Sequence, residues 1–178
     1  KKIIFCADVD TYSNYCPDTL NQAVFLSNPY LSHIVVGPEG LNIDVLSHEL
    51  CHSEFFERLG YLAWFKMKIL VPVWFDEGLA MQVSLEDKFK SSNFSKFIKE
   101  NKTNIENIKK LNSYDDFFKN EDKIWFNYFA SKLEVEVWLK SVKKDGLKEL
   151  IESINGFNKF ESIYSKIKAK YLKRANRL

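Results

Sequence analysis

The sequence predicts an α+β fold, with a small N-terminal β-sheet lying over a central helix and a mainly helical C-terminal half. Three observations carry this. The short runs rich in β-branched and aromatic residues that read as strands lie before Gly37. From Asn42 the apolar pattern changes period, and Val45, Leu46, His48, Glu49, His52, Phe55 and Phe56 fall at helical spacing as far as Gly60. Beyond Asp87 the chain reads as helical throughout and is more polar.

In order along the chain, the apolar run 3–9 ends in Asp8-Val9-Asp10-Thr11 and predicts a strand followed by a turn. Pro17 and Asp18 open a predicted helix over 17–27. The β-branched stretch 33–37 predicts a strand that stops at Gly37-Pro38-Glu39-Gly40. Spacing then predicts a helix over 42–60, a connection marked by Gly60 and Pro72, and a second helix over 74–83. Further helices are expected over 93–101, 113–118, 122–144, 147–154 and 158–172. Ser113 with Asp116 three residues on resembles a capping pattern, and Gly146 and Gly156 sit where helix-ending glycines belong.

At 178 residues the chain predicts one domain, 1–178, with the sheet and paired helices in about 1–87 and the helical part in about 88–178. An apolar share of 46% and a charged share of 28% are those of a globular protein, and fifteen Phe predict a core of large rings. A net charge of +2 gives no argument for nucleic acid. The basic run Lys166, Lys168, Lys170, Lys173, Arg174 and Arg177 reads as a solvated helix end, with phosphate or headgroup binding the lesser reading. No transmembrane span is visible, since the longest apolar stretch, 69–75, is short and contains Pro72. Three cysteines form no C-x-x-C pair, and a Cys6–Cys16 bridge is compatible with the sequence without being required by it. The opening Lys1-Lys2-Ile3-Ile4-Phe5-Cys6-Ala7 is too short for a secretory apolar region and lacks an initiator Met. The compartment stays open, with a lean to an extracytoplasmic one should a leader or anchor precede residue 1.

The chemistry is concentrated in His48-Glu49-Leu50-Cys51-His52. On a helix, positions i and i+4 differ by about 40° around the axis and about 6 Å along it. His48 and His52 therefore project side by side, and their ring nitrogens can both approach one Zn²⁺ at about 2.0–2.1 Å. Glu49, one step round, is placed to act as the general base on a water at that ion. Cys51 is turned away from this side, where packing is its expected role. A catalytic zinc needs a third protein ligand and an open position. A metzincin would place Gly three and His six residues beyond His52, but Phe55 and Arg58 stand there, and that class is excluded. Two solutions remain: His33, at a strand start, and a carboxylate on a neighbouring helix. Glu77 in Trp74-Phe75-Asp76-Glu77-Gly78-Leu79-Ala80 is well placed for the second, because Gly60 and Pro72 permit the chain to reverse. Gly78 would permit close helix approach, and Asp76 is a candidate acceptor for a ligand imidazole N–H.

His-Glu-Leu-x-His followed about two dozen residues later by Trp-Phe-x-Glu-Gly-x-Ala resembles the gluzincin metallopeptidases, especially the peptidase MA-like group. The resemblance is firm over 34–84 and looser through the helical half. It implies a zincin-like fold, one Zn²⁺ held by His48, His52 and Glu77, and Glu49 as base. It also implies a Tyr or His from the helical part that steadies the oxyanion, for which Tyr128 is the candidate by position. Zincins are further similar in pairing an extended substrate with an edge strand, which would here be 33–37. The aminopeptidase signature Gly-x-Met-Glu-Asn is absent. The expectation is a zinc-dependent peptidase, an endopeptidase acting on a peptide or protein substrate. A zincin-like domain that binds a peptide or protein without chemistry, and a non-peptide amide hydrolase, are the alternatives.

Overall fold

The structure, a computed structural model, describes residues 2–16, 22–83 and 105–175. The helix expected over 93–101 lies outside these residues, as does the start of the one expected over 17–27. Three strands and seven α-helices are described, forming an α+β architecture with a small mixed sheet and a mostly helical remainder.

Strand β1 (Lys2–Phe5) is followed by helix α1 (Val9–Tyr15). The strand expected over 3–9 ends early because Asp8, in extended backbone, accepts the Thr11 N–H at 2.7 Å and caps a helix. Strands β2 (Ala23–Ser27) and β3 (Ser32–Val36) then pair antiparallel, Phe25 opposite Ile34, while β1 pairs parallel to β3. The order β1-β3-β2 puts β3 in the centre. Residues 23–27 are thus strand where a helix was expected. A run of five residues is too short for its apolar period to tell helix from strand, and pairing with β3 decides. Alternation along β3 fixes the two faces: Val35 packs with Cys6, Tyr12 and Cys16, and Ile34 and Val36 pack with Ala23, Val45 and Leu46. One face therefore meets α1 and the other the next helix. Cys6 and Cys16 are both buried, and no disulfide joins them.

After a 3₁₀ turn (Pro38–Gly40) comes α2 (Ile43–Arg58), whose N-cap Asn42 accepts the Val45 N–H at 2.9 Å. The connection expected between Gly60 and Pro72 contains a further helix, α3 (Ala63–Ile69). Its buried Lys66 donates to the Leu59 carbonyl at 2.7 Å and to Asn155 Oδ1 at 3.0 Å, fastening α3 to the carbonyl end of α2. Helix α4 (Val73–Ala80) begins at Pro72, and all eight of its residues are buried, as suits a helix enclosed on every side. A 3₁₀ segment (Ile105–Lys110) leads to α5 (Tyr114–Phe118), capped as the Ser113/Asp116 pattern predicts.

Helix α6 (Glu121–Asn155) unites the two helices expected over 122–144 and 147–154, with a kink at Lys143 (φ 59°, ψ −167°) in place of a break. Gly146 does not end a helix. It lies buried in the second segment, where a Cβ would stand 2.3 Å from Val142 Cβ. Gly156 does cap α6, and α7 (Phe160–Ala175) returns along it. The main core fills the space between α2, α4, α6 and α7, where Phe75 sits among Trp74, Trp138, Phe160 and Tyr164. Gly78 permits a close approach, but to α6 rather than α2: a Cβ there would lie 2.5 Å from the Ser131 carbonyl oxygen and 2.7 Å from Val135 Cγ2. No described helix is long and apolar enough to cross a membrane.

Candidate metal centre

Two helices and two aromatic pairs set the position of the site. Phe55 of α2 meets Phe75 of α4 edge-on at 6.0 Å, and Phe56 of α2 meets Phe25 of β2 at 5.5 Å. The helical period then carries His48, Glu49 and His52 to one side of α2, facing Asp76 and Glu77 on α4. His48 Nε2 and His52 Nε2 stand 3.0 Å apart, and Glu77 Oε2 lies 3.3 Å from the first and 3.5 Å from the second. A tetrahedral ion bonded at about 2.0–2.1 Å spaces its ligand atoms roughly 3.3 Å apart, and the three atoms here have about that spacing. Glu77 Oε2 is buried and has no aligned hydrogen bond among the described residues, an orphan that a cation would satisfy. His48, His52 and Glu77 are a group able to hold a metal ion.

Around this group the charges are ordered. His52 Nδ1 lies 3.0 Å from Asp76 Oδ2, a charge contact without the alignment of a full hydrogen bond. Burial works against a charge on His52, but Asp76 and Glu77 outweigh it and hold the imidazole well above its ordinary pKa. Burial likewise acts to raise the Glu77 carboxyl, and His52 and His48 outweigh it, bringing the group down to about 2. Glu49 behaves differently. Its burial dominates and raises the carboxyl, against the opposing pull of His52, His48 and the Phe25 backbone amide. Two carboxylates on one cluster are thereby driven in opposite directions, Glu77 down and Glu49 up.

A cavity of about 450 Å³ opens over these side chains. His48, Glu49, His52, Asp76 and Glu77 line it, as does Tyr128, the candidate by position. The Tyr128 ring stands edge-on to His48 at 6.2 Å, and its phenol is pushed well above its usual value by burial and then by Glu77 and Glu49. His33 is not part of the group. It lies on β3, in register with Lys2 and Leu26. Cys51 packs against the main core, its thiol pushed up to about 11 by burial. The strand expected to be an open edge, 33–37, is central. The strand lining the cavity is β2, which among the described residues pairs only with β3.

Three features of the cavity escaped the sequence reading. Tyr114, at the start of α5, stands at the rim with 60% of its surface exposed and its ring stacked on Phe118 at 5.6 Å. The Ser113 cap marked the helix start beside it, but nothing in the sequence tied that helix to α4. The whole of β2 forms one wall, and Trp64, Met67 and Lys68 of α3 another. Both elements were read as something else. Comparison with protein-family models, with curated proteins and with solved structures finds no match, so the chemistry of the site has to be inferred from its geometry.

Proposed function

We propose that the protein is a zinc-dependent peptidase, an endopeptidase of gluzincin type, using His48, His52 and Glu77 as metal ligands and Glu49 as general base. The observation that carries this is the spacing of the three ligand atoms, 3.0, 3.3 and 3.5 Å, beside a buried, unligated Glu49 and beneath an open cavity. Zinc bound there would bring the pKa of a coordinated water to about 7 and polarise the substrate carbonyl.

The chain's own groups supply the rest. Glu49, with its carboxyl raised by burial, takes the proton of the attacking water and delivers it to the leaving amine. Asp76 faces His52 Nδ1, which favours the tautomer that leaves Nε2 free for a metal. Tyr128, kept protonated, offers its O–H to the carbonyl oxygen as charge develops on it. The side of β2 that pairs with no strand among the described residues would supply backbone groups to an extended peptide, which would favour internal bonds over chain ends.

Glu49→Gln tests the reading. The variant should bind one zinc per chain as the native protein does and lose turnover by about 10²- to 10⁴-fold, the usual contribution of a positioned base. Undiminished hydrolysis in that variant, or a native protein that takes up no zinc at micromolar concentration, overturns it.

A further inference from the structure

Resting on the peptidase reading, we propose that α3 forms the specificity wall of the site, a subsite that takes one large apolar side chain next to the scissile bond. Trp64, Met67 and Val71 are its principal residues.

The cavity is chemically divided. Its imidazoles and carboxylates come from α2 and α4, whereas α3 contributes Trp64, Met67 and Lys68, with Val71 just beyond its end. Trp64, Met67 and Lys68 are spaced i, i+3 and i+4, a single helical face turned toward the cavity, and Val71 adjoins it. The wall offers no carboxylate. Its one cation, Lys68, is exposed and stands 4.5 Å from the centre of the Trp64 ring, so it braces the indole instead of pointing a charge at the ligand groups. Val73 continues the wall onto α4, and Glu77 follows it at i+4, about 6 Å further along that helix. An extended substrate advances about 3.3 Å per residue, so a residue adjoining the scissile bond reaches the apolar wall while its carbonyl lies at the ligand cluster. Space agrees with this. About 450 Å³ far exceeds the roughly 30 Å³ share of one water and falls among sites that enclose part of a ligand.

Two measurements test the proposal. In the first, the zinc-loaded protein digests a mixture of unfolded proteins, and the cut sites are sequenced. Leu, Met and Phe should exceed Ala, Ser and Asp at one position beside the cut by at least tenfold. Met67→Glu and, separately, Trp64→Ala should lower kcat/KM for a Phe-containing peptide by about 10- to 100-fold, the discrimination of an apolar pocket. Their zinc content and helical circular dichroism should stay native. Cutting with no apolar preference, or with one that neither substitution alters, overturns the wall while leaving the peptidase reading intact.

In the second, calorimetry compares zinc-loaded Glu49→Gln protein binding a blocked hexapeptide with central Phe against the same peptide with central Ser. Tighter binding of the Phe peptide by tenfold or more, lost in the Glu49→Gln/Met67→Glu double variant, supports the wall even if the native protein cuts nothing. That combination would sink the peptidase reading alone. Equal binding of the two peptides overturns the wall.

Discussion

Tyr128 and Tyr114 both reach the cavity, and burial and Glu77 raise both phenols, so the proposed mechanism separates them by their exposure. Tyr128 is half-buried against His48, Phe117 and Phe118, with one edge toward the ligand cluster. Tyr114 is mostly exposed at the rim. A donor aimed at developing charge is worth more where water is excluded, and its loss lowers kcat by roughly 10²–10³. Tyr128→Phe is therefore expected to lower kcat by that order with KM little changed, and Tyr114→Phe to act mainly on KM. Steady-state kinetics on one peptide decides, and the reverse pattern moves the oxyanion role to Tyr114. Residues on a single helix were the most legible part of the site. His48, Glu49 and His52 are related by helical spacing, and Asp76 and Glu77 by adjacency. Tyr114 was illegible because α5 reaches the cavity only through tertiary packing, which no local period encodes.

At the scale of elements, the separation of α4 from α6 governs the site. Gly78 lies against the Ser131 carbonyl, next in sequence to Glu77, which faces His48 and His52 of α2. An added methyl would stand 2.5 Å from a backbone oxygen, so the helices must part. Gly78→Ala should destabilise the fold by about 1–3 kcal/mol, the usual range for overpacking. Zinc affinity should fall with it, read by denaturant unfolding and metal titration. Native stability with native affinity would show that α4 does not depend on this contact. Elements with a long period or a cap were read nearly to their ends, as in α2, α4, α5 and α7. Those that depend on partners were not. Ala23–Ser27 becomes a strand only because β3 is there to pair with it. Ala63–Ile69 is a helix fastened by Lys66 to the end of α2, and short apolar runs of this kind carry no decisive period. Gly146 looks like a helix end in sequence and is a buried packing position in space.

Across the whole molecule, the proposed ligand cluster joins α2 to α4 and would link metal binding to folding and to pH. In the zinc-free protein the folded state raises the His52 pKa and depresses that of Glu77 to about 2. The His52 contribution to stability is full below its unfolded value of about 6.5 and is lost as pH rises through the higher folded value. The Glu77 contribution is full above its unfolded value of about 4.3 and is lost as pH falls toward 2. Zinc changes the balance because it requires a neutral imidazole. Below the folded pKa of His52 each zinc must displace that proton, which lowers its apparent affinity about tenfold per pH unit. Glu77 is already ionised throughout this range and adds no slope. A ligand that binds only the folded state stabilises it by about 2.7 kcal/mol at a hundred times its Kd. The rise in Tm on adding a fixed excess of zinc should therefore grow steadily from pH 5 upward, levelling off once pH passes the folded His52 pKa. The same excess should release about one proton from His52 in an unbuffered titration at pH 6. Replacing Asp76 by Asn removes the carboxylate that most strongly holds the proton on His52, so the plateau should begin at lower pH. A zinc-induced increment in Tm that does not change between pH 5 and 8, in the native protein and in Asp76→Asn alike, would mean that the metal does not bind through His52.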